Sequence, residues 1–217
     1  MTRARDVANI DGILTTTGDT YYASAATTPA RLGIGAAGTY LTSDGTVPSW
    51  GTISAGGMTL IATTNLSGTS VTVSSIPATY KHLMVVFQKV YYNSNDYPIQ
   101  FRFNSDTSSN YSSTGLRAYS GSVSSISNKA VNFEALVKTQ NAADDNNNMF
   151  ATFNIYNYTA TTGKGFDFSA YFVDSGGTRG YVAYHGNYYS TSAISSITAI
   201  AGGQSFSGGT MLTYGVS

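Results

Sequence analysis

Beyond residue 57 the chain is a succession of short stretches in which apolar and polar side chains alternate, separated by clusters of Gly, Asn, Ser and Asp. A period of two places successive side chains on opposite faces of an extended backbone, so each stretch predicts a half-buried β-strand. The pattern gives strands at Thr59–Thr64, Thr69–Ser74, Lys81–Tyr91, Ile99–Phe103, Leu116–Ser120, Val131–Val137, Met149–Tyr156, Gly165–Val173, Gly180–His185, Ile194–Ala201 and Thr210–Tyr214. Alternation is clearest at Val131, Phe133, Ala135 and Val137, at Met149, Ala151, Phe153 and Ile155, and at Phe166, Phe168, Ala170 and Phe172. Those faces are predicted to line a core between two sheets. Many short strands divided by turn residues specify a sandwich or barrel. The expected fold is therefore all-β, an antiparallel, jelly-roll-like β-sandwich over residues 58–217. No long helix is legible, although Arg3–Ile10 could form a turn or two.

Residues 1–57 are different. They are rich in Gly, Ala, Thr and Ser and hold no sustained period. A segment with so few large apolar side chains cannot offset its own ordering entropy by burial. It is expected to be an extended, glycine-rich arm, ordered by a partner or by other copies of the chain, with Gly51–Gly57 as the linker. Tyr22, Leu32, Ile34, Leu41 and Trp50 are its spaced anchors, and Arg3 and Arg5 stand near its start. These seven residues are the candidate docking and trimerisation contacts.

Composition narrows the function. Charged residues are only 10% of the chain, and Ser, Thr, Asn and Gly supply the polarity instead. Seventeen tyrosines against one tryptophan argue against disorder, which goes with few aromatics and high charge. Net charge is +0 with no Lys/Arg stripe, so nucleic acid is not an expected partner. With no cysteine there is no disulfide or thiolate metal site, which fits assembly in a cytoplasm. The first residues lack the apolar stretch of a signal peptide, and the longest strongly apolar run, Leu83–Phe87, is far too short to span a bilayer. A host-secreted or membrane-inserted protein is not expected.

The candidate chemical motifs fail on context. Gly33-Ile-Gly35-Ala-Ala-Gly38 matches a dinucleotide fingerprint, but Gly45 and Pro48 deny it the following helix. Gly163-Lys164-Gly165 lacks the spacing of a phosphate loop and fits a hairpin turn. Asp144–Asn148 offers oxygen donors for calcium without the EF-hand glycine or terminal glutamate. His82 and His185 have no zinc-ligand spacing. No nucleophile elbow exists, Glu134 is the only glutamate, and Asp167 and Asp174 bracket one strand. Nor does the chain show the repeat of a solenoid depolymerase. No cofactor, metal or catalytic activity is expected.

Two clusters remain, Tyr91-Tyr92-Asn93-Ser94-Asn95-Asp96-Tyr97 and Tyr184-His185-Gly186-Asn187-Tyr188-Tyr189. Tyrosine combines a flat apolar face with a hydroxyl at low entropic cost, as sugar binding requires. Tyr91, Tyr92, Asn93, Tyr97, Tyr188 and Tyr189 are thus candidate glycan contacts, against the alternative that they pack at strand ends or subunit interfaces.

The segment Gly18 to Thr52 contains Gly18-Asp19-x-x-Tyr22, Ala30-Arg31-Leu32-x-Ile34-Gly35-x-x-Gly38, Leu41 and Gly45-x-x-Pro48-x-Trp50. In order and spacing it resembles a short module of bacteriophage tail-fibre and virion appendage proteins. The opening MTRARDVAN is similar to N-termini of phage fibres, especially those of cyanobacterial viruses. The C-terminal part looks like a β-domain of phage structural proteins, through Val71–Pro77, Tyr80, His82-Leu83, Phe101-x-Phe103-Asn104-x-Asp106, Asn110-Tyr111-Ser112 and Leu212–Gly215. The resemblance implies a homotrimeric virion protein assembled in the host cytoplasm. It would dock to tail or capsid proteins by its N-terminus and display the sandwich, with host surface polysaccharide as a possible ligand. Such proteins often carry a shaft that these 217 residues lack. A capsid decoration or head-fibre protein without a receptor role is therefore the alternative to a short tail fibre.

Overall fold

The computed structural model describes residues 12–26, 28–52, 57–94, 96–139 and 148–217. The chain divides into two compact units, Met1–Gly56 and Gly57–Ser217. The first carries local structure that its composition hides. β1 (Thr20–Ala25) pairs with β2 (Thr28–Leu32), and β3 (Thr39–Ser43) with β4 (Pro48–Thr52), as two antiparallel hairpins.

In the second unit the chain steps repeatedly between two sheets. Its strands are β5 (Met58–Asn65), β6 (Ser70–Val73), β7 (His82–Tyr92), β8 (Ile99–Phe103), β9 (Tyr111–Tyr119), β10 (Ser122–Ala130), β11 (Phe133–Ala135), β12 (Met149–Tyr156), β13 (Lys164–Val173), β14 (Arg179–Tyr188), β15 (Ile197–Ala201) and β16 (Phe206–Val216). Eight form one sheet in the order β10-β9-β14-β13-β12-β7-β16-β5, and four form the other in the order β11-β8-β15-β6. Setting aside β9, β10, β13 and β14 leaves β5-β16-β7-β12 facing β6-β15-β8-β11. In each quartet the earliest strand lies beside the latest. This is the strand order of a jelly roll, so the expected class holds at the level of topology. The two extra hairpins extend one sheet past β12. They lock together because β14 pairs with β9 over nine residues, Gly180–Tyr188 against Tyr119–Tyr111.

The alternating faces meet as predicted. Phe101, Phe103 and Phe133 of the small sheet pack on Phe87, Phe153, Phe166 and Phe168 of the large one, all essentially without solvent exposure. Phe101 and Phe153 approach to 4.7 Å between ring centroids. Val131 is the exception to its predicted face, being 39% exposed ahead of β11. Tyrosines close the ends of the core by hydrogen bonding backbone. The Tyr111 hydroxyl accepts from Phe103 N at 2.8 Å, the Tyr184 hydroxyl accepts from Leu136 N at 3.0 Å, and the Tyr158 hydroxyl donates to Pro77 O.

Burial raises the pKa of Tyr92 and Tyr111 well above the ordinary tyrosine value of 10.0. An unfolded chain would ionise these phenols at that ordinary value while the folded one keeps them neutral. Their contribution to stability is complete below it and is lost as pH rises through and past it. Alkaline titration followed by tyrosinate absorbance should therefore show an early, exposed class. A later step should coincide with loss of the β-sheet circular dichroism signal. A single smooth titration with the sheet intact throughout would contradict this burial.

Candidate functional site

The N-terminal module is organised by one carboxylate. Asp19 Oδ2 accepts from Thr15 N at 3.0 Å, Thr16 N at 2.7 Å and Arg31 Nε at 2.6 Å. Its Oδ1 accepts from Ile34 N at 3.0 Å and Arg31 Nη2 at 3.2 Å. The Arg31 guanidinium, helped by the Thr16, Ile34 and Thr15 amides, holds the Asp19 carboxyl far below the usual range. Trp50 Nε1 donates to Gly33 O at 2.6 Å, and its indole covers Gly35, where an added Cβ would fall 2.6 Å from the ring. Asp44 accepts from Thr46 N and Val47 N at 2.8 and 2.9 Å and forms the turn between β3 and β4. A polar clamp thus replaces the missing core, and Asp19, Arg31, Gly35 and Trp50 have defined structural tasks. Of the predicted anchors, Tyr22, Leu32 and Trp50 are half-buried, while Ile34 and Leu41 are exposed. Tyr21 and Tyr40 add to the exposed apolar surface. Arg3 and Arg5 lie outside the described residues.

The two tyrosine clusters are not brought together. The antiparallel steps from β7 through β12 and β13 to β14 put Tyr92 at one end of the large sheet and Tyr188 at the other. Tyr92 and Tyr188, expected as glycan contacts, are core residues at 0% and 1% exposure. The Tyr92 hydroxyl donates to Pro98 O at 3.2 Å. The Tyr188 ring stacks 4.8 Å from Tyr111, and its hydroxyl donates to Asp106 Oδ2 at 2.9 Å. Neither ring offers a face to a ligand: an irregularity at Gln88–Lys89 switches the inward parity of β7 so that Val90 and Tyr92 enter the core, and Tyr188 keeps the inward parity of β14. Half-buried Tyr91 lies over Gly208, and Tyr97 packs against the core. Asn93 ties the end of β7 to the loop before β16, its Oδ1 accepting from Ser205 N at 3.0 Å. Asn93 is exposed but tied down by Ser205, and of the candidate tyrosines only Tyr189 is exposed. It lines a hollow of about 470 Å³ with Asn110, Thr162, Gly163, Ser190 and Thr191. Nearby, Lys164 is fully covered, its Nζ donating to Thr162 O and Ser190 O at 3.1 and 2.5 Å. Burial lowers its pKa.

The rejected chemistry can be placed as well. Glu134 accepts from Gln100 Nε2 at 2.5 Å on the outside of the small sheet. Asp167 and Asp174 stand seven residues apart along β13 and its end, roughly 23 Å at strand rise, beyond the separation of a glycosidase pair. Among the described residues no cluster of three or more His, Cys, Asp or Glu could hold a metal, and no helix is long and apolar enough to cross a membrane. Residues 144–147 of the calcium candidate fall outside the described residues.

Sequence reasoning missed the outer face of the eight-stranded sheet. Register aligns Val123, Ala118, Tyr181, Tyr171 and Phe150 in one row across β10, β9, β14, β13 and β12. Four of these are large and exposed, from 39% at Tyr171 to 70% at Val123. The adjacent row mixes exposed Leu116 and the apolar Ala183 and Val86 with Ser169 and Thr152, and several polar groups on this face are bonded to one another. Thr152 and Ser169 hydroxyls lie 3.0 Å apart, and Asp167 accepts from Asn154 Nδ2 at 2.9 Å and from the Tyr156 hydroxyl. The signal was present in the pattern, since Phe150 and Tyr171 are aromatic residues at the polar parity of clearly alternating strands.

Comparison of the chain with family models, with curated proteins and with solved structures found no match.

Proposed function

We propose that the chain is a bacteriophage virion structural protein, a short, homotrimeric tail fibre that docks by its N-terminal module and displays the jelly roll. One observation supports this reading above others. The segment that resembles the appendage module is a unit of its own, ordered by the Asp19 clamp, with Ile34 and Leu41 exposed. Small size and exposed apolar anchors suit a plug that completes its burial against a partner. The jelly roll has a complete core without it. Docking by the sandwich is not needed, which frees that domain for display.

The division of labour makes a prediction. Deleting residues 1–57 should leave a soluble, cooperatively folding sandwich that no longer joins particles, measured by immunodetection on purified virions. Incorporation of the truncated chain at normal levels would reject the attachment role.

A further inference from the structure

Among the described residues the sandwich has four sheet edges, and three are guarded in the ways that natural sheets guard them. β6 is four residues long, β11 is three, and β5 carries a register shift against β16. β10 is the exception. It runs nine residues, pairs with β9 at every one of them without a shift, and holds no proline and a single charge, Lys129. The two-residue turn Ser120-Gly121, with φ of 53° and 75°, makes Tyr119 and Ser122 a hydrogen-bonded pair. That fixes the parity of the strand. Ser122, Ser124, Ile126, Asn128 and Ala130 turn their backbone groups to β9, and Val123, Ser125, Ser127 and Lys129 turn theirs off the sheet. The Thr114 hydroxyl donating to Ile126 O agrees with this assignment. The outward N–H and C=O groups have no backbone partner among the described residues. Residues 53–56 join β5 at the far edge of the sheet, roughly 34 Å away at strand spacing and beyond the reach of so short a stretch. Residues 140–147 are too few to run from Thr139 along Val123–Lys129 and return to Asn148.

We infer that β10 pairs with β10 of a second copy of this chain, antiparallel, about a two-fold axis at Ile126, joining two large sheets into one. An open edge of this length selects a strand, because only a strand answers a row of backbone groups. The sequence selects a copy of itself. With Ile126 opposite Ile126, Val123 falls opposite Lys129 and Ser125 opposite Ser127, so every outward residue meets an outward residue. Any other register leaves some of them unpaired. Lys129 lies beside Val123 of the second copy and not beside its own counterpart, so no like charges meet. Its methylene stem covers Val123, which is 70% exposed in the single chain. Ile126 already packs at the margin of the core and meets its counterpart there. A two-fold contact of this kind closes on itself. The inference goes beyond the three-fold association of the proposed fibre, since it links copies in pairs through the displayed domain. Its failure leaves virion attachment untouched, because that role is assigned to residues 1–57.

The chain has no cysteine, so the register can be read by oxidising full-length variants. Residues of a hydrogen-bonded antiparallel pair have Cα atoms about 5.5 Å apart, within disulfide reach. A mixture of Val123→Cys and Lys129→Cys chains should give a cross-linked dimer. Neither variant should do so alone, because each position lies about 20 Å from its own counterpart at strand rise. Ser125→Pro removes one outward N–H and leaves the ladder to β9 intact. It should lower the sedimenting mass of the wild type by at least half, with the circular dichroism of the sheet unchanged. The proposal is overturned if the mixture gives no cross-link, the result expected when the N-terminal residues of the chain or a different protein cover the edge. It is also overturned if either variant cross-links with itself as readily as the mixture does, or if Ser125→Pro sediments like the wild type.

Discussion

Phe153→Ala should destabilise the sandwich by about 3–5 kcal/mol, the range for truncating an aromatic side chain in a filled core. Phe153 sits on β12, central in the large sheet, at 0% exposure. Its ring lies 4.7 Å from Phe101, 5.5 Å from Phe133, 5.6 Å from Phe166, 5.8 Å from Phe103 and 5.9 Å from Phe168. Removing it leaves a cavity walled by rings on both sheets, and rigid strands cannot collapse to fill it. Since domains of this size carry about 5–15 kcal/mol in total, the loss is a large share of the whole. Chemical denaturation should show a lower midpoint with an unchanged slope. Phe150→Ala, three residues earlier on the opposite face, should change stability by no more than about 0.5 kcal/mol. Equal effects at the two positions would mean that the register of β12 is wrong.

Asp19→Ala should open the N-terminal module while leaving the sandwich intact. Five donors converge on this carboxylate, from Thr15, Thr16, Arg31 and Ile34. Ile34 follows Gly33, whose carbonyl accepts from Trp50, so losing the clamp releases the indole's acceptor as well. Trp50 is the only tryptophan in the chain and reports on this unit alone. Its emission should shift to that of a water-exposed indole in the variant, while the melting of the sandwich is unchanged. Acid should act in the same way on the wild type. A carboxyl whose pKa is depressed by folding stabilises fully above its unfolded value, about 3.9. That contribution is lost as pH falls from there toward the lower folded value. Emission indifferent to both Asp19 and acid would remove the clamp from the account.

The sandwich strands were legible because burial in a two-layer fold imposes a period of two, and Met149–Tyr156 matches β12 residue for residue. β10 was not legible. It lies at the edge of the large sheet, and four of its nine residues are serine, so no apolar face marks it. β9 was shortened to its last residues because Ser113 and Gly115 occupy inward positions. An added Cβ at Gly115 would fall 2.2 Å from Ala183 O, so close strand packing excludes the large residue that would have shown the period. The hairpins of the first unit escaped detection because ion pairing and amide capture order them, and neither leaves a periodic trace. The tyrosine clusters misled for a related reason. Adjacent tyrosines face opposite ways, so Tyr188 enters the core while Tyr189 stays exposed. The row of Phe150, Tyr171 and Tyr181 exists only through the pairing of strands, and pairing is not written locally.

Cryo-electron microscopy of intact virions carrying this chain tests the central claim most directly. The account predicts trimeric density on the tail, with the two-hairpin module against the particle and the jelly roll outward. Density at capsomer axes would contradict the tail-fibre reading in favour of a decoration protein, and absence of the chain from purified particles would contradict a virion role altogether.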